Sequence, residues 1–241
     1  MSAAAVTFEP VMRSPLTAAH RRLGATFGRD GDWEYVAAYP ETVEAKGHEA
    51  LAGGVAVTDI SARGKVDVRG AIGGLFTRIA RTSEGWQPGE IVPLEPAPSE
   101  AHPGLVAPIS DIWAIVFCPP PSLQTRLDEL EEPVAGGLTM VTEVSGQYTG
   151  IALNGPASFE LLARLTPFDL GRLEPGTAVA TSMLEISGLM LHRDLGDERS
   201  VVEMWVASTY ARYAWETVLA TGGPHGAAPL GRDALSDQGW W

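Results

Sequence analysis

The chain has 241 residues, a formal charge of −13 and an isoelectric point near 4.7. It is long enough to bury a full core without disulfide or metal staples. Its acidity argues against DNA or RNA partners, since releasing counterions from a phosphate backbone takes a basic face. Residues Met1 to Met12 show no export-signal pattern and no run of about 18 apolar residues occurs, so a soluble cytoplasmic protein with no membrane partner is expected.

In chain order, Ser14-Pro15-Leu16 followed by Ala18, Ala19 and Leu23 reads as a short helix with Pro just inside its start, broken by Gly24, Gly28 and Gly31. Glu41 to Leu51 is a second helical stretch, ended by Gly53-Gly54. Val55, Val57 and Ile60, then Val66 and Val68, read as the two strands of a hairpin turning at Ala62-Arg63-Gly64. Gly70 launches a helix with Ile72, Leu75, Phe76 and Ile79 on its buried face. Pro93 to Pro108 is so rich in proline that it reads as a surface loop. Ile112 to Phe117 is an apolar strand, separated by Pro119-Pro120-Pro121 from a helix that begins at Ser122 and carries Leu123, Leu127 and Leu130. Glu131 to Gly137 joins two halves. Beyond it come the strand ending at Gly155, a helix opened by Pro156 with Phe159, Leu162 and Leu165, and a strand from Val201 to Val206. Ser208 caps a last helix carrying Ala211, Trp215 and Val218, and the Gly-rich tail from Gly222 is expected to be loosely held.

The halves repeat one pattern. Lys65-Val66-Asp67-Val68-Arg69-Gly70 and Tyr148-Thr149-Gly150-Ile151-Ala152-Leu153-Asn154-Gly155 both alternate, end at Gly and run into a helix. Gly70 precedes the Gly of Pro88-Gly89 by 19 positions (89−70), and Gly155 precedes that of Pro175-Gly176 by 21 (176−155). The expectation is therefore an α+β fold of duplicated β-α-β-β-α, ferredoxin-like units. As a division of residues 1–241 it places the repeats at 55–131 and 138–221, an N-terminal helical segment at 14–52 and a flexible tail at 222–241. The seam between such halves suits a flat ligand.

Several kinds of chemistry leave no trace. No Gly-rich phosphate cradle follows a strand, and no Gly-x-Ser-x-Gly elbow is present. His20, His48, His102, His192 and His225 are scattered without metal-ligand spacing, so no metal is expected. Cys118, at the end of an apolar run, reads as a buried inert thiol.

Ser14-Pro15-Leu16-Thr17-Ala18-Ala19-His20, Val55-Ala56-Val57-Thr58-Asp59-Ile60-Ser61, Gly64-Lys65-Val66-Asp67-Val68-Arg69-Gly70, Ile151-Ala152-Leu153-Asn154-Gly155-Pro156 and Val202-Glu203-Met204-Trp205-Val206 together resemble the folate-binding family of the glycine-cleavage T-protein and the gamma subunit of heterotetrameric sarcosine oxidase. The resemblance runs from about Ser14 to Gly222. It implies a duplicated α+β core around an opening for tetrahydrofolate, here without the T-protein's C-terminal barrel. The interval of 10 positions from Arg193 to Glu203 (203−193) matches that between an Arg and the pterin-binding Glu of the T-protein, which makes Glu203 the candidate acceptor for the N–H and NH₂ pair of the pterin. The competing reading is a charge on the solvent face of an alternating strand. Arg232, in Leu230-Gly231-Arg232-Asp233, resembles a folate-contacting Arg, against a solvated surface Arg. Asp59 belongs to the most recognisable block, against a role bonding local backbone amides.

The chain departs from the family where the T-protein has an acidic pair that handles the proton near the folate nitrogen: Ala101 to Pro108 contains no acidic residue, and Asp111 is the weak catalytic candidate that remains. These departures imply a gamma-like subunit that works with a flavoprotein oxidase, with the one-carbon unit captured by tetrahydrofolate. The alternatives are a free-standing aminomethyl- or methyltransferase, and a scaffold subunit. Of the seven Trp residues, Trp240-Trp241 at a polar terminus are expected to pack on a partner or back onto the body.

Overall fold

The computed structural model describes residues 11–74, 79, 86–96, 104–131, 138–196 and 199–238. It opens with helix α1 (Thr17–Arg22), strands β1 (Thr26–Asp30) and β2 (Trp33–Ala38), and helix α2 (Glu41–Gly53). The stretch read from the sequence only as a glycine break is thus an antiparallel hairpin, and Gly31, at φ 57°, supplies the left-handed residue of its turn. Next come β3 (Val55–Asp59), β4 (Gly64–Gly70), β5 (Val92–Pro93), β6 (Leu105–Ser110), β7 (Trp113–Cys118), α3 (Leu123–Glu131) and β8 (Thr139–Glu143). They are followed by β9 (Tyr148–Asn154), α4 (Ser158–Leu162), β10 (Thr177–Met183), β11 (Ile186–Gly196), β12 (Arg199–Ala207), α5 (Ala211–Gly222) and β13 (Ala227–Pro229).

The order β10-β11-β12-β9-β3-β13 makes a six-stranded sheet, and β5-β6-β7-β4-β8 a five-stranded one. Apart from β13, the two orders correspond strand for strand, as a duplication requires. The leading strands are exchanged: β3 opens the first half but pairs with β9 of the second, and β8 opens the second half but pairs with β4 of the first. The expected hairpin between β3 and β4 is therefore wrong, because each joins a different sheet. The physical reason is burial: all five residues of β3 are buried, so it needs neighbours on both edges and cover on both faces. Residues 60–63 turn a corner from one sheet to the other.

Period-two alternation then sorts the side chains into layers. Val55, Val57, Ile151, Leu153, Val202, Met204 and Val206 face α4 and α5 with Leu161, Leu162, Ala214, Trp215 and Val218. Val66, Val68, Val106, Ala114 and Val116 face Ile72, Ile79 and Leu130. Between the sheets lie Ala56, Ala152, Leu189, Leu191, Val201 and Trp205 from one and Leu105, Ala107, Ile115 and Phe117 from the other. The molecule is thus a helix–sheet–sheet–helix stack, and the middle layer belongs to both halves.

Three further expectations change. Pro93 to Pro108 is not simply a surface loop: it supplies β5 and β6, with Pro93 on the edge strand and Pro108 at a register shift before Ser110, where a missing N–H breaks no ladder bond. The tail expected to be flexible is docked over its described length, with β13 pairing in parallel to β3 and Leu230 and Leu235 fully buried; burial of these side chains outweighs the loose local composition. Ser208 does not cap α5, since its hydroxyl donates to the carbonyl of Gly146. Most of the helix expected after Gly70, the join after Glu131, His102 and Trp240-Trp241 lie outside the described residues.

Gly150 tests the middle layer, since a Cβ there would meet the ring of Trp205 and the side chain of Ile60. Gly150→Ala is expected to destabilise the protein by about 1–3 kcal/mol through overpacking, read as a lowered urea midpoint at unchanged slope.

Candidate functional site

On β12, Val202 and Met204 point to the helices, so Glu203 points into the layer between the sheets together with Val201 and Trp205. It is fully buried, at 0 % exposure, which rules out the solvent-face reading. Its Oε1 accepts from Arg63 Nη1 at 2.8 Å and from Arg193 Nη1 at 3.0 Å, and its Oε2 accepts from Trp205 Nε1 at 3.1 Å. The interval between Arg193 and Glu203 has a simple origin: Arg193 of β11 stands opposite Val201 of β12, so it reaches Glu203 as a diagonal cross-strand neighbour. Arg63 arrives from the corner between the sheets. Burial by itself would push the Glu203 carboxyl up, but Arg63, Arg193 and the indole bond together hold it below the usual carboxylate range. Burial brings the Arg63 guanidinium down to about 10, against the attraction of Glu203.

Lys65 was not singled out from the sequence and is the most unusual group in the layer. It is fully buried on β4, donates from Nζ to the Ser61 carbonyl at 2.7 Å, and lies 5.5 Å and 5.0 Å from the ring centroids of Trp33 and Trp205. Burial lowers its ammonium to about 7, with Asp59 opposing the shift. Its alternation with Val66 and Val68 marks the opposite face of β4, but no local signal says that this face meets a second sheet.

Asp59 is buried and fully engaged: Oδ1 accepts from the Ser61 N–H at 2.9 Å and the Ser61 hydroxyl at 2.5 Å, and Oδ2 lies 2.9 Å from His20 Nε2. These include the local backbone bond expected of its structural reading. Burial pushes this carboxyl up, and the bonds from His20, Ser14 and Ser61 with the charge of His20 outweigh that and leave it lowered. Arg232 is neither solvated nor on a loose tail, since its Nη2 donates to Asp30 at 3.0 Å and its guanidinium stacks 4.1 Å above the Tyr35 ring. Its charge is felt by Arg63. Asp111 stands apart, exposed in the turn between β6 and β7. Cys118 is buried and forms no disulfide. A cleft of about 690 Å³ lined by Lys46, Glu49 and His225 among others shares no residue with this cluster. Among the described residues no group of three His, Cys, Asp or Glu side chains is arranged to hold a metal, and no helix is long and apolar enough to cross a membrane.

With this geometry in view, the relatives of the chain can be named. It is 26 % identical over 241 residues to an aminomethyltransferase of Geobacillus kaustophilus, a match that takes in 92 % of this chain and 63 % of that protein. An aminomethyltransferase of Acidobacterium capsulatum is 24 % identical over 229 residues, covering 92 % and 60 %. Among solved structures, the glycine cleavage system aminomethyltransferase T of Bartonella henselae superposes with a TM-score of 0.73 at 18 % identity, over 93 % of this chain and 60 % of that one. The chain is similar in sequence to aminomethyltransferases. A chain of the heterotetrameric sarcosine oxidase of Corynebacterium sp. U-96 shares the fold as well, with a TM-score of 0.57 at 18 % identity over 78 % of this chain and 94 % of that one. The resemblance seen in the sequence holds in both comparisons, and the α+β fold is that of the aminomethyltransferase T. The chain spans about 60 % of the length of these curated relatives. No family model matches it.

Two outcomes follow for the charged layer. Glu203→Gln removes the buried charge to which Arg63 and Arg193 both donate and is expected to cost about 3–5 kcal/mol in urea unfolding. Lys65 adds a pH dependence. Between about pH 7 and its ordinary value of 10.5 the unfolded chain holds a proton on Lys65 that the folded chain has released, so this residue makes stability rise with pH across that window. Lys65→Met is expected to flatten that rise by up to about 1.4 kcal/mol per pH unit, seen by comparing the unfolding free energies of the two proteins from pH 7 to pH 10.

Proposed function

We propose that this chain binds tetrahydrofolate against Glu203 in the layer between its sheets and receives a one-carbon unit there, working as a gamma-like subunit beside a flavin-dependent amine oxidase or demethylase of the sarcosine type. One observation carries the reading: a buried, ionised carboxylate at the interval from Arg193 that the resemblance assigns to the pterin acceptor. An ionised carboxylate has about four lone-pair positions, and three donors among the described residues occupy Glu203. A pterin edge would take the remaining position and gain a second by displacing Arg193, whose side chain is 16 % exposed against 7 % for Arg63. Arg232, held between Asp30 and Tyr35, would meet the folate from the side of the β1–β2 hairpin, while Asp59 would shape the wall.

The subunit reading is supported by what the chain lacks where proton handling is expected. No acidic residue occurs in Ala101 to Pro108, and Asp111 is on the other sheet from Glu203, exposed in a turn. The oxidation, and the proton transfers that go with it, would then belong to a companion flavoprotein. A free-standing tetrahydrofolate-dependent aminomethyl- or methyltransferase is the second reading, favoured by the names of the curated relatives; it needs an acid or base within reach of the folate nitrogen.

Titrating the purified chain with tetrahydrofolate while following intrinsic Trp fluorescence separates these cases. Saturable binding is expected, and Glu203→Ala should abolish it in a protein shown by circular dichroism to remain folded. Methyl transfer from a simple donor amine by the isolated chain would favour the transferase, and binding that appears only with a flavoprotein oxidase would favour the subunit. Absence of binding under every condition would overturn both and leave a scaffold.

A further inference from the structure

We propose that Tyr39, His20 and Asp59 form a positioning chain that fixes Arg63 against Glu203. The ligand in this proposal rests on the tetrahydrofolate reading above, whereas the positioning rests on geometry alone. The Tyr39 hydroxyl lies 2.8 Å from His20 Nδ1, and His20 Nε2 lies 2.9 Å from Asp59 Oδ2. Asp59 Oδ1 takes both the N–H and the hydroxyl of Ser61, and the Ser61 hydroxyl in turn accepts from the Gly150 N–H at 3.2 Å. Every member is buried: His20 at 0 %, Ser61 at 1 %, and Tyr39 and Asp59 at 6 % exposure.

The donors and acceptors match along the whole run. An ionised Asp59 can only accept, so His20 donates to it from Nε2, while Nδ1 shares the outer hydrogen bond with the Tyr39 hydroxyl, which can donate or accept. Ser61 spends its hydroxyl proton on Asp59 and keeps a lone pair for Gly150. Such a fully satisfied buried chain is rigid, because losing any one bond strands a polar group away from water.

Its position gives that rigidity a use. Ser61 sits in the corner from Ile60 to Arg63, where the chain leaves one sheet for the other. The corner is tied to β9 twice, by the Ile60 N–H on the Gly150 carbonyl at 2.9 Å and by the Gly150 N–H on Ser61. Glu203 stands opposite Ala152 on the same β9. Arg63 and Glu203, 140 residues apart in sequence, are therefore located by one common strand, and the 2.8 Å bond between them depends on the corner staying put. Lys65 adds a further tie through the Ser61 carbonyl. The N-terminal segment, which brings His20 on α1 and Tyr39 after β2, acts as a strap that orients Asp59 from outside the sheets. His20 and Tyr39 are positioning residues that act through Asp59 and Ser61.

Two measurements test this. In nuclear magnetic resonance of arginine-labelled protein, the guanidinium protons of Arg63 are expected to shift and exchange faster in His20→Gln, and less so in Tyr39→Phe, which removes only the outermost hydroxyl and serves if the first variant does not fold. Arg126, also buried but bonded to Glu129 and the Glu95 carbonyl, is the internal reference and stays unchanged. In tetrahydrofolate titrations, His20→Gln is expected to weaken binding about tenfold, and the double variant with Arg63→Met to bind no worse than Arg63→Met alone, the non-additivity of residues that act through one another. Arg63 signals that move no more than those of Arg126, or additive losses in the double variant, would overturn the proposal. If the wild-type chain binds no tetrahydrofolate, the functional reading fails, and the resonances of Arg63 alone decide the positioning.

Discussion

A carboxylate sealed between two β-sheets is the constraint around which this molecule is organised. Glu203 has no contact with water, and an isolated charge in such a place would take up a proton or open the structure. It remains ionised because Arg63, Arg193 and Trp205 converge on it from a corner, a neighbouring strand and its own strand. The Arg193 and Trp205 contacts are made within Glu203's own sheet, whereas the Arg63 contact holds only while the corner between the sheets stays in place. A buried ion pair of this kind adds little to stability compared with apolar packing, but breaking it is costly, so it discriminates strongly among ways of stacking the sheets.

The stacking has its own lock. Because β3 and β8 are exchanged between the halves, neither sheet can form without a strand from the other half. The middle layer is therefore an obligate product of the duplication, and residues on its two walls meet at sequence separations that no local element spans. The docked C-terminal strand extends the same sheet, with β13 alongside β3 and Leu230 and Leu235 buried beyond it. The N-terminal segment closes another side, placing Trp33 near Lys65 and Tyr35 beneath Arg232.

Charge is distributed accordingly. The chain as a whole is strongly acidic, yet this layer and its margin gather Arg63, Lys65, Arg193 and Arg232 around Glu203, Asp59 and Asp30. Cations and carboxylates are thus interleaved inside an acidic protein. This interleaving keeps the carboxylates ionised, which leaves them as acceptors for donors on a ligand edge. Lys65, caged by two indoles and one carbonyl, is the least well paired of these cations, and burial lowers its ammonium accordingly.

Much of this was legible in the amino-acid sequence. The repeat, the alternation of β4 and β9, the strands around Ile112 and Val201, the helices around Leu127 and Trp215, and the interval from Arg193 to Glu203 are local or periodic signals, set by which face of an element must be apolar. Other features depend on long-range pairing, to which local patterns are blind. The strand pairing of β3 and β4 was misread because adjacency in sequence suggests a hairpin, whereas burial on both faces demands other partners. Pro108 in a strand, the docking of the tail, the burial of Lys65 and the run from Tyr39 to Ser61 likewise arise only when distant segments are brought together. Sequence by itself determined most of the helices and the central strands, the duplication and the candidate carboxylate. Tertiary structure decided that the carboxylate is enclosed and what holds it, because whether the second face of a strand meets water or another sheet depends on how two halves stack, and that information is not stored in either half alone.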